Sequence, residues 1–282
     1  MQNKIGPVGP SLGWLFAKIG TITDFEAIKA TGADCIEFAI FGGAKGEQRR
    51  RAITQLPPSP LPASLHLFSL EHLNGAENLS DWSKAGQDEL TDYQTICRCH
   101  SICAISVHPD CTPLSAYRLL SFCNRPLAIE NMDMLKATGR NPVELQTIIN
   151  QVPSLGFVLD LQHVFEVARA TDRNPEKLAL EFANFMGDRL IYLHVSGELF
   201  FSGKQVKNHA QIHIATNRRT IIRMLASVLK RAKTKLPIIL EGEYLLHIPE
   251  GYQPRDDAER LELLALATKR MREEREYLLN EI

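Results

Sequence analysis

The sequence predicts a closed barrel of eight parallel strands, each followed by a helix. Short apolar runs alternate with helical stretches eight times along 282 residues, close to the ~250 that such barrels need. The runs are near-continuous in Val, Ile, Leu and Phe, as strands buried on both faces are. No Gly-x-Gly-x-x-Gly turn follows the first run, which leaves an open, doubly wound sheet as the weaker alternative. The fold class is α/β, a single-domain (β/α)8 TIM barrel spanning residues 1–282.

The first strand is 5–8 or 12–16, and the others are 35–41, 64–70, 104–108, 126–131, 156–161, 189–195 and 236–241. Helical segments lie near 23–31, 45–55, 84–102, 113–123, 142–151, 163–186, 216–233 and 256–280. Thr23 before Asp24, Phe25 and Glu26 has the form of an N-cap with an acidic first turn. Asn141-Pro142 and Asn174-Pro175 put proline in a first helical turn, where its missing N–H costs nothing. The proline-rich stretch 56–62 is a rigid loop feeding the third strand. The segment 197–216 reads as a loop that covers the site or sets specificity. Residues 254–282 form the last barrel helix, an apolar stripe among charges.

Lys and Arg number 32 and Asp and Glu 33, for a net charge of −1. The basic footprint of a nucleic-acid binder is missing. No apolar run approaches the roughly 20 residues that span a bilayer, and the N-terminus has no signal-peptide core. The expectation is a cytoplasmic protein with neither a nucleic-acid nor a membrane partner. Six cysteines in a chain of this size do not read as a disulfide framework. Cys97 and Cys99 are roughly 200° apart on a helix and cannot share an ion.

Chemistry in such a barrel gathers at the C-terminal ends of the strands. Those ends carry His66, His108, Glu130, Asp160, His163, His194 and Glu241, from six of the eight strands. Glu37, Gln162 and Glu243 lie close by in register, and the stretch His209-Ala210-Gln211-Ile212-His213 follows the seventh strand. Buried carboxylates and imidazoles cost several kcal/mol each when unpartnered. A divalent cation partners several at once, and this donor set suits Fe, Mn or Zn. Glu37, Gln162, Gln211 and Glu243 are candidates for supporting or substrate contacts, as is His72.

The ordered set resembles the xylose-isomerase-like TIM barrels over about residues 30–245. That superfamily includes sugar isomerases and epimerases, endonuclease IV, and multinuclear non-haem iron enzymes of the methanobactin-biosynthesis type. Resemblance to the isomerases implies one metal on Glu130, Asp160, His194 and Glu241, with the two glutamates as acid and base and His163 on the substrate. The arginine of the epimerases is missing, since His194 is followed by Val195, Ser196, Gly197, Glu198, Leu199 and Phe200. Resemblance to endonuclease IV implies a second ion on His66 and His108, bridged by Glu130. It also implies a third on His163 and His213, where Gln211 stands in place of that family's aspartate. The local texture is nearest to the iron enzymes, in Leu159-Asp160-Leu161-Gln162-His163, Leu193-His194-Val195-Ser196-Gly197 and Glu130-Asn131. This implies two or three divalent ions, iron favoured over manganese or zinc, and oxidative chemistry on a peptide or small-molecule substrate. The alternative is a single-metal isomerase or epimerase of sugars or sugar phosphates. A phosphodiester hydrolase is the weaker alternative.

Overall fold

The computed structural model describes residues 5–19, 25–40, 43–68, 84–110, 112–202, 204–249 and 251–282. The residues Thr23, His72 and Cys111 lie outside them. Eight parallel strands build the barrel: β1 (Ile5–Pro10), β2 (Ile36–Ile40), β3 (Ala63–Leu67), β4 (Ile102–Val107), β5 (Leu127–Glu130), β6 (Gly156–Asp160), β7 (Leu190–Val195) and β10 (Leu236–Leu240). Their order is β1-β10-β7-β6-β5-β4-β3-β2. A parallel bridge between Ser11 and Glu37, with Leu12 N–H donating to Glu37 O at 2.8 Å, draws β1 up to β2 and nearly closes the ring. Gly9 permits this approach, because a Cβ there would meet Cys35 O at 1.7 Å.

The helices are α1 (Gly13–Ile19), α2 (Phe25–Lys29), α3 (Gly43–Thr54), α4 (Lys84–Cys99), α5 (Leu114–Leu120), α6 (Pro142–Gln151), α7 (Leu161–Ala170), α8 (Pro175–Met186), α9 (Arg218–Arg231) and α10 (Asp257–Glu281). The α6 start is set by Asn141, whose side chain accepts from Glu144 N–H at 3.0 Å ahead of Pro142.

Three expectations are corrected. Of the two runs offered for the first strand the earlier one forms it, and the later one, 12–16, overlaps α1, with Leu15 buried inside the helix and Leu12 just before it. The segment 163–186 is two helices. Asp172 turns into the left-handed region (φ +52°), and Asn174 caps Lys177 N–H at 2.9 Å ahead of Pro175, which cannot sit mid-helix. The segment 197–216 contains an antiparallel hairpin, β8 (Gly197–Phe201) and β9 (Lys204–Ala210).

The strands alternate as a period of two requires. Ile36, Phe38, Leu65, Ile105, Ile129, Phe157, Leu159, Leu193, Ile238 and Leu240 belong to the main core packed with the helices. A second, smaller cluster lies within the ring: Cys35, Ala104, Ala128, Val158, Tyr192 and Ile239. Two residues beyond each of these, on the same face, come Glu37, Ser106, Glu130, Asp160, His194 and Glu241. Among the described residues no helix is long and apolar enough to cross a membrane.

Candidate metal centre

The upper ring holds Glu37, His66, His108, Glu130, Asp160, His194 and Glu241, none more than 5% exposed. All but Glu37, the second residue of β2, sit at or near the C-terminal end of their strands or just past it. Three groups have ligand atoms within 4.8 Å of one another: Glu130, Asp160, His194 and Glu241; His66, His108 and Glu130; and Glu37, His66, His194 and Glu241. Glu130 sits between the first two groups. Its Oε1 lies 3.1 Å from His194 Nδ1, and its Oε2 lies 3.0 Å from His66 Nε2 and 3.6 Å from His108 Nε2. Glu241 Oε1 faces His194 Nδ1 at 3.5 Å and His66 Nδ1 at 3.6 Å.

Asp160 ends β6 and caps α7, accepting from His163 N–H at 2.9 Å. That cap fixes the first turn of α7 and brings His163 beside the centre. The His163 Nδ1–H donates to Asn131 O at 2.8 Å. Asn131 in turn exchanges two hydrogen bonds with the backbone of Asp160 (2.7 and 3.0 Å). Gln162 points away, accepting from Asn217 at 3.3 Å and donating to Glu166 at 3.2 Å.

The hairpin brings in a residue that strand-end reading passed over. His209, at the end of β9, adopts φ +52°, a left-handed conformation uncommon outside glycine. Its Nδ1 lies 3.2 Å from Ser196 Oγ and 3.9 Å from Glu241 Oε2. Its ring lies 5.9 Å from that of His163 and 6.0 Å from that of Trp14. The left-handed backbone at a half-buried histidine is the signal that marks it, and the sequence does not display it. His213 is a correction: it stands four residues on, against Tyr277 of α10 (ring centres 6.4 Å apart), outside the three groups. Gln211 also turns away, donating to Glu243 O at 3.1 Å. Among the described residues His163 and His213 are therefore not brought together for a third ion.

Glu243 is fully buried between Lys18 (2.5 Å) and Lys207 of β9. Gly242 lies between it and Glu241 because a Cβ there would meet Gln211 Cα at 2.8 Å and Glu274 Oε1 at 2.8 Å.

Burial raises the cost of every charge in this ring, so each group's protonation follows its neighbours. Burial would lift the Glu130 and Glu37 carboxyls, but His194 and His66 outweigh it and hold both well below the usual carboxylate range. Burial would lower His66 and His194, but the facing glutamates raise both well above an ordinary imidazole. Asp160 is pushed up to about 6 by burial. Burial would lower His163, yet Asp160 and Glu130 lift it to about 9. Burial drops His209 to about 4.

The donor set fits a divalent ion. Among the described residues, Glu130 Oε2, Asp160 Oδ2 and both ring nitrogens of His66 are sealed from solvent and face only the other ionisable groups of the ring. Groups so placed cost free energy unless something coordinates them, and mixed imidazole and carboxylate suits Zn, Mn and Fe.

No protein-family model matches the chain, and no curated protein matches it. Solved structures do. The IolI protein, solved with a bound zinc, superposes with a TM-score of 0.61 at 13% identity, covering 98% of each chain. A protein of Anabaena variabilis named as a putative sugar phosphate isomerase/epimerase gives 0.54 at 13% identity over 97% of this chain and 99% of that one. Endonuclease IV of Thermus thermophilus gives 0.53 at 18% identity over 94% and 99%. At these identities what is shared is the fold, a (β/α)8 TIM barrel.

Proposed function

We propose that the chain is a divalent-metal-dependent isomerase or epimerase of small polyhydroxylated molecules, sugars or sugar phosphates. The observation that carries this reading is the buried set Glu130, Asp160, His194 and Glu241 on β5, β6, β7 and β10, with ligand atoms within 4.8 Å of one another. The neighbours support it, since they include a protein named as a putative sugar phosphate isomerase/epimerase and a protein with bound zinc. A divalent ion in that set supplies a Lewis acid for a carbonyl or hydroxyl oxygen. Glu130 and Glu241 are the groups to take a proton from a substrate carbon and return one. His163, with Nδ1 committed to Asn131 O, turns Nε2 to the substrate. Phe68, stacked on His66 at 4.3 Å, and Trp14 offer flat apolar walls for the C–H faces of a sugar.

The test is proton exchange in deuterated water with a panel of ketoses, aldoses and their phosphates. Deuterium should enter at the carbon beside the carbonyl with the wild-type enzyme and not with Glu241→Gln. Absence of exchange across the panel in metal-loaded protein would sink the reading.

The group His66, His108 and Glu130 favours a second reading, in which Glu130 is shared by two ions. Iron there would supply the oxidative chemistry that the local sequence texture suggests, on a peptide or small-molecule substrate. The neighbours do not support that preference, and isomerase is the better fit to them. Two or more irons per chain after anaerobic purification would favour it. One manganese, magnesium or cobalt would favour the isomerase and make His66 and His108 substrate contacts. Phosphodiester hydrolysis has the fold in its favour but, at a net charge of −1, little electrostatic attraction for a nucleic acid.

A further inference from the structure

We infer that Glu37 is a positioning residue for the metal centre: it holds the Nε2–H of His194 so that Nδ1 is the nitrogen offered to the ion. The inference rests on the metal-site reading above. His194 presents its two nitrogens to opposite sides. Nδ1 faces Glu130 Oε1 at 3.1 Å and Glu241 Oε1 at 3.5 Å, while Nε2 lies 3.0 Å from Glu37 Oε2. The first two partners belong to the four-residue ligand group. Glu37 comes from β2, on the far side of the sequence, 157 residues away.

Glu37 is itself held. Its Oε2 accepts from Ser64 Oγ at 3.1 Å and lies 3.2 Å from the hydroxyl of Tyr192, which sits 2.7 Å from Ser106 Oγ. These groups come from β2, β3, β4 and β7, and all four are at most 4% exposed. They form a buried polar belt below the candidate ligands. An imidazole on a metal needs its other N–H bonded to a fixed acceptor, or the ring rotates and the tautomers mix. An ionised carboxylate clamped by two hydroxyls is such an acceptor. Glu37 stands second in β2, short of the strand end, and bonds the imidazole at Nε2, the side turned away from Glu130 and Glu241, so it acts through His194.

The second Glu37 oxygen, Oε1, lies 3.7 Å from His66 Nδ1. This is why Glu37 also belongs to a possible ligand group with His66, His194 and Glu241. A ligand and a positioning residue differ in what their removal does to stoichiometry.

The experiment measures zinc affinity by competition with a chromophoric chelator, and zinc stoichiometry, for wild type, Glu37→Gln and Tyr192→Phe. The carboxamide can turn its own N–H toward Nε2, driving the proton to Nδ1, where it blocks the ion. Glu37→Gln should bind zinc 10–100-fold more weakly at unchanged stoichiometry, the usual loss for an outer partner of a ligating histidine. Tyr192→Phe keeps the carboxylate and loosens its seat, so several-fold weakening is expected; it also serves if Glu37→Gln does not fold. Nitrogen-15 long-range imidazole spectra of the zinc-loaded wild type should show His194 protonated at Nε2 and coordinated at Nδ1. Unchanged affinity in both variants, loss of a whole zinc equivalent in Glu37→Gln, or coordination through Nε2 would overturn the inference while leaving the metal site standing. A wild type that takes up no zinc, manganese or iron would overturn the metal-site reading and this inference with it.

Discussion

In the lower ring of the barrel Cys35, Ala104, Ala128, Val158 and Ile239 close on one another by packing. Two residues further along the same strands, on the same face, stand Glu37, Ser106, Glu130, Asp160 and Glu241. Both rings are equally dry. The lower one is satisfied by contact between apolar atoms, and the upper one packs carboxylates against imidazoles. The fold needs the first ring; on the reading proposed above, the second is there for a cation. Stability and chemistry are thus written in alternate residues of the same strands.

That contrast can be broken from either side. The largest effect is expected from Glu130→Gln, which removes the negative charge facing His66, His108 and His194 and replaces one of the two oxygens by an amide nitrogen. Metal content should vanish, and turnover should fall by more than the 10–100-fold that a supporting residue costs. The metal-free variant should be less stable than metal-free wild type near neutral pH, because His66 and His194 lose a carboxylate that faces them. Elemental analysis and chemical denaturation check both statements.

Ile239→Ala strikes the lower ring two residues before Glu241. It should cost about 2–5 kcal/mol of unfolding free energy, as buried isoleucine truncations do, with metal stoichiometry unchanged. Loss of the metal in a folded Ile239→Ala protein would mean that the two rings are not separable.

Glu274 of α10 sharpens the comparison, since it is buried but outside the ring. Its Oε1 accepts from Ile212 N–H at 2.6 Å, and burial pushes its carboxyl up to about 7. A carboxyl raised in the folded state binds its proton more tightly there than when unfolded. Its contribution to stability is therefore full below about pH 4 and declines as the pH rises to about 7. Glu274→Gln keeps an acceptor and removes the titration. At pH 8 it should be more stable than wild type by about 3–4 kcal/mol, at ~1.4 kcal/mol per unit, and the gain should disappear at pH 4.

The smallest effect is expected at Lys207, whose side chain is 30% exposed and pairs with Glu243. Lys18 still faces that carboxylate when Lys207 is lost. Lys207→Ala should cost less than about 1 kcal/mol in a denaturation curve, as partly solvated pairs do.

The strands and the upper ring were legible because burial on both faces forces apolar runs, and a polar residue ending such a run is conspicuous. Glu130, Asp160 and His194 interrupt or end their strands in this way. What was not legible depends on how segments fold back. The 197–216 stretch lacks a clean alternation, since β9 is largely solvent-facing, so its hairpin and the return of His209 to the centre were hidden. His213 stood out by spacing alone, and the turn after β9 sends it to Tyr277. The split at Asp172 turns on one left-handed residue. The link from Glu37 to His194 spans the barrel, and no local pattern carries it.

The central claim is that the upper ring is built around a divalent cation. It is tested most directly by elemental analysis of protein purified without added metal, in parallel for wild type and Glu130→Gln. At least one Mn, Fe, Zn or Co per wild-type chain, absent from the variant, is the expected result. A wild type with no bound metal, whose melting temperature does not rise when these ions are added, would contradict the account.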